Sequence, residues 1–256
     1  MMPQPNLEIR NCDNTQEFEE CVQIQREVWK FSDEDLVPMR LFVVASKIGG
    51  QVIGAFDGDR MAGFALGIPG TRNGHAYMHS HMLGVRPEYR NAGLGRSVKM
   101  FQREDALSKG IELIEWTFDP LEIKNAYLNI EKLGAITRRY NINQYGNVTS
   151  ALQGGLPTDR LTAEWWLKSK RVLTLLETGS HPPVNPEKKI EVPGEIYAWK
   201  ANTEDRAKAA EVQQRNREMF LKYFDGGLSV LGYERDENGT GRYLLGNWEE
   251  NWSYAS

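Results

Sequence analysis

With 256 residues, of which 40% are hydrophobic, the chain is long enough to bury a sizeable core. Its formal net charge of -4, from 31 Lys and Arg against 35 Asp and Glu, without any long basic run, excludes a general affinity for nucleic acid or an anionic membrane. No stretch of roughly 18 apolar residues occurs, residues 1–10 do not read as a leader, and Cys12 and Cys21 are too few for a disulfide scaffold or thiolate metal site; the expectation is a cytoplasmic protein with reduced, packing cysteines, no metal and a small-molecule partner.

Residues 13–30 carry Phe18, Val22, Gln25 and Trp29 at helical spacing, with acidic residues in the first turns, which predicts a helix. A second, short helix is expected over 38–48. The apolar runs 51–57 and 61–68, joined by Asp57-Gly58-Asp59-Arg60, predict a β-hairpin, and 75–85 a third strand of the same meander. His79 and His81 stand two apart on that strand, so their side chains share a face; His75 is expected to be a hydrogen-bonded core residue.

The turn Arg90-Asn91-Ala92-Gly93-Leu94-Gly95 leads into a segment of good helix formers, 96–109, and a strand follows over 111–118. Another helix is expected within 125–135. Alternation over 136–146 and 160–167 predicts a closing strand pair, joined by a loop at 146–159 whose length suits either a cover over a substrate or a surface excursion. The Pro-rich stretch 181–186 reads as a linker, 203–224 as a helix, and 195–200, 228–234 and 242–245 as short strands. The expected organisation is a domain over 1–170 with an extension, 171–256, packed on it.

A helix N-terminus presents unpaired backbone N–H groups and the positive end of the helix dipole, so glycines that open the approach, with Arg90 and Arg96 beside them, suit a phosphate or pyrophosphate. The spacing Val85, Pro87, Tyr89, Arg90, Gly93, Gly95 followed by a helix resembles the coenzyme A pyrophosphate signature of the GNAT acyltransferases. The stretch 125–135, one strand downstream, resembles their second motif. The resemblance covers about residues 7–170 and implies a mixed α/β GNAT fold, a central mostly antiparallel sheet flanked by helices, with a C-terminal extension. It further implies that Leu83, Val85, Arg90, Asn91, Gly93, Leu94, Gly95, Arg96 and Asn125 contact coenzyme A, and that a bulge around 83–85 frees backbone N–H groups for the carbonyl oxygen of the donor.

The chemistry implied is transfer of an acyl group from acetyl-CoA, or another acyl-CoA such as succinyl-CoA, to the amino group of a small amine or amino acid. An alkylamine with a lysine-like pKa is only roughly 0.04% neutral at pH 7, a barrier of about 4.6 kcal/mol, so a base that titrates near neutrality is valuable. His79 and His81 are the candidates, and the pair resembles that of arylalkylamine-type GNAT enzymes; Glu115 and Asp119 compete. The family's usual tyrosine acid is replaced by Ile130, which leaves Tyr127, three residues earlier on the helix, as a weaker substitute. Trp116, Asp119 and Tyr140 are candidate substrate contacts, and Arg138, Arg139 and Arg160 would serve a succinyl donor. A homodimer is compatible with this reading. The rival is a noncatalytic acyl-CoA sensor, supported by the missing tyrosine.

Overall fold

The computed structural model describes residues 7–146 and 154–254. Its contacts divide into two compact units, one formed by the chain up to Ile114 together with Tyr254, the other by Glu115–Ser253.

The first unit starts with β1 (Glu8–Asn11), a short strand, and α1 (Thr15–Trp29), whose N-cap Asn14 accepts a hydrogen bond from the Glu17 N–H at 3.0 Å. After α2 (Met39–Lys47) come β2 (Gln51–Asp57), β3 (Arg60–Arg72) and β4 (His75–Val85), then α3 (Leu94–Ser108). The strands lie in the order β1-β2-β3-β4, each antiparallel to its neighbour. Alternation decides the layers: Val52, Phe56, Phe64 and Leu66 join the core with Phe18, Ile24 and Phe42 of α1 and α2. Ile53, Ala55, Ala62 and Ala65 face the other way, onto Leu94 and Val98 of α3. Helices therefore cover both faces of these strands.

Two details fix the end of β4. The β3–β4 hairpin turns on Asn73-Gly74, both at positive φ (48° and 81°), so β3 runs to Arg72 rather than stopping near 68. Beyond the strand, the buried Arg86 donates to Glu20 at 2.6 Å and Glu27 at 2.7 Å of α1, and to the Met61 carbonyl. These acceptors hold its guanidinium pKa above the ordinary value and tie α1 to the strand end.

The second unit contains β5 (Leu113–Phe118) from Glu115 onward, α4 (Ile123–Tyr127), β6 (Ile136–Asn141), β7 (Arg160–Trp166), α5 (Lys170–Thr178), β8 (Lys188–Val192), α6 (Ile196–Ala201), α7 (Arg206–Asp225), β9 (Leu228–Arg235) and β10 (Gly241–Asn247). Its strand order is β5-β7-β6-β9-β10-β8, with antiparallel pairing from β7 through β8. The architecture is thus mixed α/β and mostly antiparallel, as expected. Residues 195–200 differ from expectation, forming a helix where a strand was predicted. Apolar alternation there is outweighed by Ile196 and Lys200, four apart and both buried, after a Pro193-Gly194 turn that starts the helix. The expected loop at 146–159 falls largely on 147–153, outside the described residues. Among the described residues no helix is long and apolar enough to cross a membrane.

The chain leaves α4 through a π-helical turn, Leu128–Lys132, in which the Leu133 N–H donates to the Leu128 carbonyl five residues back, at 3.0 Å. Side chains from later in the chain hold this widened turn. Arg171 donates to the Gly134 carbonyl at 3.0 Å and the Ile130 carbonyl at 3.2 Å, while Glu131 accepts from the Tyr233 N–H at 2.6 Å and pairs with His181 at 2.9 Å. Arg171 is buried, and desolvation lowers its pKa to about 10. Arg171→Met keeps the volume but strands two buried carbonyls; it is expected to lower stability by about 2–3 kcal/mol, read as a reduced urea midpoint at unchanged m-value.

Candidate functional site

The glycine turn leaves the N-terminus of α3 open. Gly93 caps α3 at φ +82°, with Asn91 before it at φ +63°, and no side chain occupies the cap. The first helical bond runs from the Ser97 N–H to the Gly93 carbonyl at 3.1 Å, so the N–H groups of Leu94, Gly95 and Arg96 precede the helical ladder and point outward. A Cβ on Gly93 would meet nothing within 4 Å, and one on Gly95 only Leu83 Cδ2 at 3.8 Å. Gly93 is required by its left-handed backbone, and at Gly95 crowding by the protein does not explain the glycine. Arg90 and Arg96 are exposed at the rim, Arg90 steadied by donating to the Val85 carbonyl at 3.0 Å. Leu94 is buried and anchors the turn in the core, with Leu83 and Val85 of β4 packed against the same cluster. These features fit the pyrophosphate of coenzyme A.

On β4 the register slips by one residue. Leu66 pairs with Met82 and Gly67 with Ser80, which leaves His81 without a partner on β3. The bulge is therefore at His81, not around 83–85, where pairing with β3 is regular. Gly84 is needed for a different reason, since a Cβ there would lie 3.1 Å from Trp29 and Phe64 and 3.3 Å from Ile24. The slip also splits the strand's faces. Ser80 reaches α3, whereas Met82 packs in the core with α1 and α2.

His79 and His81 lie side by side, ring centroids 6.0 Å apart. His79 is half-buried. His81 has an accessible ring, yet the protein around it disfavours the imidazolium and lowers its pKa below the ordinary 6.5. That keeps an accessible imidazole neutral at physiological pH. His75, expected in the core, is instead exposed and stacks on Tyr254 at 4.5 Å; it sits at the mouth of the Asn73-Gly74 turn, where no core exists.

Beneath β4 lies a residue that the sequence pattern does not single out. Lys99 of α3 is buried, donates to Ser80 Oγ at 2.7 Å and Gln102 Oε1 at 3.0 Å, and desolvation lowers its pKa to about 7. The available signal was its place one residue from Val98 on the helix's apolar stripe.

In the second unit, Asn125 is exposed on α4 and Tyr127 is half-buried, its ring 5.2 Å from the Lys132 ammonium and 5.7 Å from the Arg235 guanidinium. Ile130, where the tyrosine was missing, is fully buried in the π-helical turn. Trp116 is buried edge-on against Trp165 at 6.1 Å. Asp119 accepts from Lys200 at 2.8 Å, and the same ammonium reaches Glu122 at 2.9 Å, so the cation Asp119 holds belongs to the protein itself. Tyr140 stacks on Phe220 and donates to Asp159 at 2.6 Å, which, with burial, raises its pKa. Glu115 is buried and bonded by Arg139; Arg138 and Arg139 both also engage Glu164. Arg160 lies over the Tyr145 ring at 5.5 Å. Among the described residues, no cluster of three His, Cys, Asp or Glu could hold a metal.

Residues 8–127 match the acetyltransferase (GNAT) family, a span that contains the helix N-terminus, the bulged histidine strand and Asn125. The chain carries a GNAT acetyltransferase domain. Two solved structures share the GNAT fold with it. One, from Desulfovibrio desulfuricans and assigned to the GNAT family, is 14% identical with a TM-score of 0.50, covering 63% of this chain and 99% of its own. The other, the ribosomal-protein-S18-alanine N-acetyltransferase of Escherichia coli, is 13% identical with a TM-score of 0.51, covering 64% of this chain and 95% of its own. Comparison with curated proteins gives no match. An acyl-CoA is thus the donor, and the GNAT helix N-terminus is where its pyrophosphate is expected. Gly95→Ala tests this. With only one ordinary contact for the new methyl group, stability should rise by about 0.5–1 kcal/mol, while coenzyme A affinity, measured by calorimetry, should fall about tenfold.

Proposed function

We propose that the protein transfers an acetyl group from acetyl-CoA to the amino group of a small amine or amino acid, by direct attack of the amine on the thioester. The observation that carries this reading is the bulged His81, an accessible imidazole with a lowered pKa, in the same compact unit as the open N-terminus of α3.

The roles follow from the chemistry. The N–H groups at the start of α3, with Arg90 and Arg96, bind the pyrophosphate. His81, with His79 beside it, accepts the proton that the ammonium of the acceptor must lose, directly or through water. Backbone N–H groups near the bulge, which β3 does not use at His81, stabilise the charge on the carbonyl oxygen of the tetrahedral intermediate. Tyr127 is the candidate proton donor to the leaving sulfur, with the Lys132 ammonium and the Arg235 guanidinium near its ring. A thiol with pKa near 8.5 costs only about 2 kcal/mol to leave as thiolate at pH 7, so water can replace it. Asn125 contacts the pantetheine arm. An acetyl donor is favoured over a succinyl one because Arg138 and Arg139 are already bonded to buried carboxylates.

The test incubates the protein with acetyl-CoA or succinyl-CoA and a panel of amines while free thiol is followed. Turnover is expected with acetyl-CoA and at least one small amine. His79→Ala together with His81→Ala should lower kcat/KM by about 10²–10⁴-fold; turnover that survives it rules out the histidine base. Protonation removes the base, so kcat/KM in the wild type should fall as pH drops through the His81 pKa, below 6.5. Coenzyme A binding without turnover on any amine would instead make the chain a sensor.

A further inference from the structure

We propose that Lys99 is a positioning residue for acyl transfer: by holding Ser80 from beneath the sheet, it fixes the bulge that presents His81. The inference rests on the acetyl-transfer reading for its catalytic consequence and on geometry alone for the link between Lys99 and His81.

In an unbroken strand, residues 80 and 82 would point to one face. Here they point to opposite faces, because His81 is the extra residue between them. Ser80 turns towards α3 and is bonded there by the Lys99 ammonium at 2.7 Å. Met82 turns the other way and is buried among Ile24, Phe42 and Phe64. The bulge is thus gripped from both sides, by a charge-assisted hydrogen bond on one face and by apolar burial on the other. Remove the polar grip, and the strand can slip by a residue or flatten, which re-aims the His81 ring and its N–H.

The ammonium is itself fixed. Lys99 also donates to Gln102 Oε1 at 3.0 Å, and the Gln102 carbonyl accepts from Gln51 of β2 at 2.8 Å. Gln51 in turn donates to Asp105 of α3 at 2.8 Å, which pairs with Lys109. A run of polar contacts thereby joins β2, α3 and β4. Because α3 also begins at the glycine turn, the same helix that offers its N-terminus to the pyrophosphate sets the position of the histidine bulge. Glycine at position 67, opposite Ser80, leaves the room this needs, since a Cβ there would lie 2.7 Å from Gln51 Oε1 and 2.9 Å from Met78 Sδ. Burial brings the Lys99 pKa to about 7, so its charge changes within the range in which enzyme assays are run. The other charged side chains and histidines on these elements are Asp57 on β2, Arg96, Arg103, Glu104 and Asp105 on α3, with Lys109 capping its C-terminus, and His75, His79 and His81 on β4.

Two variants of the full chain test the inference, Lys99→Met and Ser80→Ala. Ser80→Ala retains the lysine and guards against a folding defect in the first, and thermal unfolding verifies both. The direct readout is the pH titration of the His81 imidazole by NMR, assigned with His81→Gln. In both variants its midpoint should move by about half a pH unit or more, while that of His79 moves less. In parallel, kcat should fall about tenfold with the KM for acetyl-CoA within about twofold of wild type, and Lys99→Arg should recover part of the loss. An unchanged His81 titration in both variants overturns the proposal. So does a shift in Lys99→Met alone, which would be an effect of charge and not of the bond to Ser80. If the wild type turns over no amine, the acetyl-transfer reading fails, whereas the titration still decides whether Lys99 positions His81.

Discussion

The first unit is organised around a single inserted residue in β4. Without His81 out of register, β4 would present 78, 80, 82 and 84 to one layer of helices. With it, Ser80 faces α3 while Met82 faces α1 and α2, and Leu83 and Val85 take over the α3 side. The same slip that divides the core frees the His81 backbone from β3. In the proposed mechanism, packing and chemistry thus draw on one irregularity.

Much of the first unit was legible in the sequence. Gly93 and Gly95 before a helix, with arginines beside them, were expected to form a phosphate cradle, and the structure places them at the open N-terminus of α3. The β2–β3 hairpin, the His79–His81 proximity and α7 followed from alternation and breakers. The bulge was expected but misplaced, because Gly84 looks like a bulge residue; its real constraint is Trp29, Phe64 and Ile24, a long-range contact that no local pattern carries. Lys99 was hidden for a related reason. A lysine on an apolar stripe usually reaches out to water along its stem, and only the tertiary position of Ser80 turns this one inward.

In the second unit the residues named from sequence are in the expected elements but have partners inside the chain. Asp119 is matched by Lys200, Tyr140 by Asp159 and Phe220, and Glu115 by Arg139. Buried charge requires a partner. Where that partner lies 81 residues away, as Lys200 does from Asp119, the sequence shows an apparently available carboxylate and the fold shows a satisfied one.

The π-helical turn after α4 also bears on the order in which the protein can mature. Its side-chain partners lie 41 residues downstream at Arg171 and 102 downstream at Tyr233, counted from Ile130 and Glu131. During synthesis, which proceeds from the N-terminus, the helix bearing Asn125 and Tyr127 emerges long before the groups that hold its far end. Its final shape must wait for β9, so a ribosome-bound chain truncated before Tyr233 lacks part of what secures this helix even when every residue of the 8–127 family match has already been made.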